Sequence, residues 1–128
     1  MLSELMNNSE SLPADARETA SLVCCHFYKC AYSTSAHRNI ATRSQLLTEQ
    51  QVDAIVDDTK PEDLNDNCSI AYDTAHYLLY VRGSLPQEIW AKAVAAFGTR
   101  GTVELIHSVA LYSWTSLGLN ATDVQPAS

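Results

Sequence analysis

The sequence predicts an all-α fold, and three observations carry that prediction. Apolar residues recur at helical offsets in successive segments, from Ala20, Leu22, Val23 and Phe27 near the start to Val103, Leu105, Ile106 and Val109 near the end. Helix-start signals precede these segments: Ser11-Leu12-Pro13, Thr48 to Gln51, and Ser84-Leu85-Pro86. Glycine and proline number only four each in 128 residues, which suits helices better than a turn-dense sandwich.

A chain of this length buries enough apolar surface to fold as one domain without disulfides or metal. Residues 1–11 read as a polar N-terminal arm, in which Leu2, Leu5 and Met6 could dock one helical turn on a neighbour. The helical domain spans 12–121, and 122–128 form a polar tail. Pro13 opens the first helix, with Asp15 and Glu18 in early turns where carboxylates complement the helix dipole. From His26 to about Ser44 that helix either continues or restarts after a break near Lys29.

Thr48 and Gln51 form a capping-box pattern for a short helix buried through Val52, Ile55 and Val56 and stopping at Asp57-Asp58. Thr59-Lys60-Pro61-Glu62 repeats the start signal, and Ile70, Ala71, Ala75, Leu78 and Leu79 mark a helix from Cys68 to Val81 that Gly83 ends. Pro86 leads a helix with Ile89, Trp90, Ala93, Val94 and Phe97 inside, closed by Gly98. Thr102 begins a final helix that is apolar nearly all round, as in a segment packed on several sides. The bundle therefore has about six helices.

The net charge is −7, and the eight lysines and arginines are scattered, so nothing resembles a nucleic-acid footprint. No apolar run reaches the length of a membrane span, and residues 1–12 lack a signal-peptide pattern; a soluble cytoplasmic protein is expected. Cys24, Cys25, Cys30 and Cys68 then read as reduced thiols. Their spacing relative to the histidines matches no zinc site, and neither a metal nor another cofactor is expected.

One stretch does not read as core. At about 100° per residue, His26, Cys30, Ser33 and His37 fall within a sector of about 60°. A helix normally turns aliphatic side chains inward at such offsets, yet every group in this file can move or hold a proton. Considered alone, each histidine is more simply a packed core residue; His26 is placed as structural or at a pocket rim. His76 and His107 read as packing residues, although His107 near Tyr112 could line a pocket between helices.

Three strings carry a family resemblance. Leu12-Pro13-Ala14-Asp15-Ala16-Arg17-Glu18, Leu46-Leu47-Thr48-Glu49-Gln50-Gln51-Val52-Asp53-Ala54-Ile55, and Val94-Ala95-Ala96-Phe97-Gly98 followed by Val103-Glu104-Leu105-Ile106 resemble, in order and spacing, the carboxymuconolactone decarboxylase and alkylhydroperoxidase D-like family. The resemblance covers roughly residues 12–121 and implies an alkylhydroperoxidase D-like helical bundle assembled as a homo-trimer or homo-hexamer.

In the peroxidase-like branch the pattern is C-x-x-C-x-x-x-H, with a glutamate twelve residues before the first cysteine. Here Cys30 and His37 match the first cysteine and the histidine, Glu18 stands at the glutamate position, and Ser33 replaces the second cysteine. The decarboxylase branch usually carries a carboxylate four residues before the histidine, again the position of Ser33. Thiol cycling of the family type needs two sulfurs, so the departure at Ser33 disfavours it. Cys24, Cys25 or Cys68 could resolve a Cys30 sulfenate only from within bridging reach.

The resemblance thus implies a cofactor-independent lyase or isomerase acting on a lactone, β-keto acid or enolisable polyketide-like small molecule. His37 would be the general acid/base, since imidazole exchanges protons near neutrality. Ser33 or Cys30 would stabilise developing negative charge, and Glu18 would orient His37 or, if buried, serve as a second acid; by their own positions rather than by the resemblance, His26, Tyr112 and His107 are placed at the substrate pocket. A thiol-dependent redox protein using Cys30, and an inactive oligomeric module, are the alternatives.

Overall fold

The computed structural model describes residues 11–127, and among these the chain forms five helices and no strand. They are α1 (Ala14–Tyr28), α2 (Ala31–Arg43), α3 (Glu49–Val56), α4 (Asp66–His76) continued by a π turn (Tyr77–Val81), and α5 (Gln87–Ala121). The suggested docking of Leu2, Leu5 and Met6 lies outside the described residues.

α1 is the axle of the bundle and packs against each of the other four helices. From Glu18 to Cys25 every one of its residues is buried, on all sides of the helix. Small side chains make this possible: Ala16 and Ala20 on α1 meet Ala71 and Ala75 on α4 and Ala93 on α5 within one core, so that backbones approach closely. Leu22 and Leu105 are fully buried there. Each such leucine contributes about 2 kcal/mol of hydrophobic stabilisation.

Helix ends follow from local chemistry. Pro13 caps α1 with the extended backbone its ring favours, and Pro86 does the same for α5. The expected capping box on α3 is present: Thr48 Oγ1 accepts from Gln51 N–H at 3.1 Å while Gln51 Oε1 accepts from Thr48 N–H at 2.9 Å. Thr59–Glu62 does not start a helix. The cap of α4 is Asn65, whose Oδ1 accepts from Cys68 N–H at 2.8 Å and whose Nδ2 donates to Asp15 at 2.9 Å, tying the starts of α4 and α1 together.

The count is five helices rather than six, because the two helices expected on either side of Gly98 follow each other without a loop and form one kinked element, α5. Its φ of 72° and ψ of 173° break the helix at a single residue, and the chain resumes helical geometry directly. Gly101 allows the next close approach: a Cβ there would stand 2.9 Å from the Ser11 carbonyl oxygen and 2.7 Å from Phe97 Cβ. The second half of α5 is also not packed on all sides. Leu105, Ser108, Val109 and Ser116 are buried, whereas Trp114 is 75% and Leu117 56% exposed.

The chain breaks between α1 and α2 as one of the two expected alternatives had it. Lys29 adopts the left-handed conformation, φ 51° and ψ 42°, and Cys30 caps α2. This break decides which residues of the polar file share a site.

Candidate active site

Glu18 and His37 meet across the packing of α1 on α2. Glu18 sits on the second turn of α1 and is only 3% exposed. A carboxylate so far from water requires a partner. His37 supplies it, with Nδ1 at 2.8 Å from Glu18 Oε2. With Glu18 ionised, Nδ1 carries the hydrogen of this bond and Nε2 is left to take or give a proton. The His37 side chain is 12% exposed.

Tyr112 of α5 forms the third side, its ring standing edge-on to His37 with centroids 4.8 Å apart at 78°. Burial foremost, and then the Glu18 carboxylate, push its phenol above the ordinary range, which keeps it an O–H donor at neutral pH. Ser33, one turn before His37 on α2, is buried, and its Oγ accepts from Cys30 Sγ at 3.3 Å. Glu18, His37, Ser33, Cys30 and Tyr112 therefore all lie at or next to one junction of α1, α2 and α5.

His26 and His107 do not join them. The break at Lys29 leaves His26 on the last turn of α1, where Nδ1 lies 2.7 Å from the Val56 carbonyl oxygen and Nε2 3.9 Å from Asp58. The four-residue file of the continuous-helix reading is thus reduced to Cys30, Ser33 and His37 on α2. His107 is exposed. It lies five residues from Tyr112, about 140° around α5, and so looks away when Tyr112 faces His37.

The chain matches no model of a known protein family and no curated protein.

A second polar cluster lies at the C-terminal end of α1 and was not foreseen. Asp58, at the left-handed end of the α3 turn, stands 3.7 Å from His76 Nε2 as well as 3.9 Å from His26 Nε2. The His76 ring stacks between Tyr72 and Tyr80, with centroids 5.7 and 4.3 Å away. Burial, then Asp58, pushes the Tyr80 phenol up to about 12. The spacing of Tyr72, His76 and Tyr80 by four residues is a helical stacking pattern that the sequence carries openly. Among the described residues, no three His, Cys, Asp or Glu side chains converge so as to hold a metal ion.

Proposed function

We propose that this chain is a cofactor-independent lyase or isomerase of the carboxymuconolactone decarboxylase and alkylhydroperoxidase D-like type. It performs decarboxylation or a related proton transfer on a lactone, β-keto acid or polyketide-like small molecule, with His37 as general acid/base. The observation that carries this reading is the 2.8 Å bond from His37 Nδ1 to the buried Glu18 carboxylate.

That bond fixes the ring and stabilises the imidazolium formed when Nε2 accepts a proton. In an isomerisation, Nε2 removes the hydrogen from an acidic carbon and returns it at another position of the enolate. In a decarboxylation, the electron pair of the breaking C–C bond passes into an enolate as carbon dioxide leaves, and protonated His37 delivers a hydrogen to carbon. Ser33 supplies an O–H one turn away for the developing oxyanion.

The working unit in this reading is a homo-trimer or homo-hexamer. The exposed side chains of Tyr32, Ile40, Trp114 and Leu117 on α2 and α5 support it, since apolar surface of this kind is suited to burial by another subunit. A cytoplasmic setting fits four free, buried thiols. No helix among the described residues is long and apolar enough to cross a membrane.

The test is carbon dioxide release and product formation from a panel of β-keto acids and lactones by the wild-type chain and by His37→Ala. Turnover by the wild type and its loss in a folded variant is expected; equal turnover by the two would overturn the assignment.

A further inference from the structure

Between α4 with its π turn and the first turns of α5 lies a cavity of about 280 Å³. Its walls are largely apolar: Ile70 of α4, Tyr77 and Val81 of the π turn, and Ile89 of α5. Neither Glu18 nor His37 lines it, so it is separate from the junction of α1, α2 and α5. Its size is just below that of cavities that hold drug-sized molecules, which suits a single ring with a short chain.

The backbone along one wall is unusual. The Tyr77 carbonyl accepts from Arg82 N–H at 3.0 Å, five residues on, which makes Tyr77–Val81 a π turn. Such turns are rare and frequently accompany functional sites. Arg82 then takes φ 69° and ψ 176°, a combination essentially confined to glycine. Strain of this kind persists where the surroundings hold it, and it clusters at ligand-binding segments. Here the first and last residues of the π turn both wall the cavity, and Arg82 follows directly. Val81 stays 58% exposed, an apolar side chain open to cover by a ligand.

Three ionisable groups also line the cavity, Asp73, His76 and Lys92, and two of them are committed. Asp73 Oδ1 accepts from Lys60 Nζ at 2.9 Å. His76 turns Nε2 toward Asp58 and stacks its ring against Tyr72 and Tyr80. Lys92 is held by Glu88 one turn back, at 3.4 Å and between side chains 65% and 81% exposed, and a pair of that kind is weak. The charge left to offer is one ammonium on a flexible stem.

We propose that this cavity binds a small monocarboxylate with an apolar ring, the ring between Tyr77, Val81 and Ile89 and the carboxylate on Lys92 Nζ. The ring covers Val81 and packs on Tyr77, offset or edge-on as aromatic pairs prefer. The carboxylate replaces Glu88 as the partner of Lys92, beside an apolar wall where charges are less screened than on open surface. A neutral ring compound gains the first contact and lacks the second.

The experiment titrates phenylpropionate into the full chain, follows backbone amide shifts by NMR, and repeats the titration with the neutral phenylpropionamide. The acid should saturate with a Kd on the order of 1 mM. It should shift the amides of Ile70, Tyr77, Val81 and Ile89 and leave those of Glu18 and His37 in place. The amide compound should bind about fivefold more weakly, the worth of one partly exposed ion pair. Lys92→Met, a change at an exposed side chain, should bring the acid to the affinity of the amide and leave the amide unchanged. Ile89→Trp should fill the cavity and abolish both. No saturable shift with the wild type, equal affinities for the two compounds, or shifts centred on His37 would each overturn the proposal. So would an acid affinity unchanged in Lys92→Met or binding retained by a folded Ile89→Trp. The wild-type titrations decide even where a variant does not fold.

Discussion

The Oε2 atom of Glu18 lies 2.8 Å from Nδ1 of His37, although the two residues are nineteen positions apart and on different helices. The acid belongs to the most buried helix of the bundle and the imidazole to the helix packed across it. One ring nitrogen is thereby committed to the buried carboxylate.

Glu18→Gln should keep the fold, because the amide fills the same space and can still bond to the ring. It should lower turnover on the order of 100-fold, since a neutral amide neither stabilises the imidazolium nor selects the Nδ1–H tautomer. The double variant Glu18→Gln/His37→Ala should be no slower than His37→Ala alone, because the two residues act as one unit. Steady-state kinetics on a substrate from the panel, with circular dichroism as the control for folding, checks both.

Tyr112→Phe should preserve the edge-on contact with His37 and cost about 1 kcal/mol for the lost hydroxyl interaction. Tyr112→Ala removes the ring as well and should cost about 3 kcal/mol. Urea denaturation midpoints at neutral pH distinguish the two; equal costs would mean that the ring does not support the junction.

Gly101→Ala should destabilise the chain by about 1–3 kcal/mol. The added methyl meets the backbone oxygen of Ser11 at 2.9 Å, an atom that cannot rotate away as a flexible side chain would. In an ordinary helix the same change would be stabilising. The sign of the shift in thermal midpoint is therefore the test.

Raising the pH should weaken the fold. Burial pushes the Cys24 thiol up to about 12 and the Cys68 thiol up to about 11, from an ordinary value of 9.0. Below that ordinary value both thiols are protonated, folded or unfolded, and their contribution is fully present. As the pH climbs from 9.0 toward the folded values the unfolded chain releases protons first, and stability falls by up to about 1.4 kcal/mol per pH unit for each thiol. Urea titrations at neutral pH and near pH 10 should show the decline, and Cys24→Ala should make it shallower than in the wild type.

Much of this architecture was legible because it is written in local chemistry. Pro13 and Pro86 preset the backbone that opens α1 and α5, and the Thr48–Gln51 box needs only three residues to form. Of the candidate residues, Ser33 and His37 were readable as neighbours because their offset repeats on one helix. The place of Glu18 rested on likeness to other sequences, since its bond to His37 is a tertiary contact that no periodicity encodes.

What the pattern could not resolve was how the chain behaves at a single residue. Lys29 in a left-handed conformation ends one helix and starts another, which sends His26 to Val56 and Asp58 rather than into the polar file. Gly98 does interrupt the helix, but no loop follows, so the helices on its two sides join in one kinked α5. Apolar spacing on α5 did not distinguish the buried Val109 from the exposed Trp114 either, because amphipathic periodicity records hydrophobicity and not which face has a neighbour.

The most direct measurement is hydrogen exchange at carbon. An enolisable β-keto acid or lactone is incubated in heavy water with the wild-type chain, with His37→Ala and with no protein, and deuterium entering the acidic position is followed by NMR. The wild type should accelerate incorporation at least on the order of 100-fold over His37→Ala, which should match buffer. Incorporation by His37→Ala at the wild-type rate, or a wild type no faster than buffer across the panel, would contradict the account.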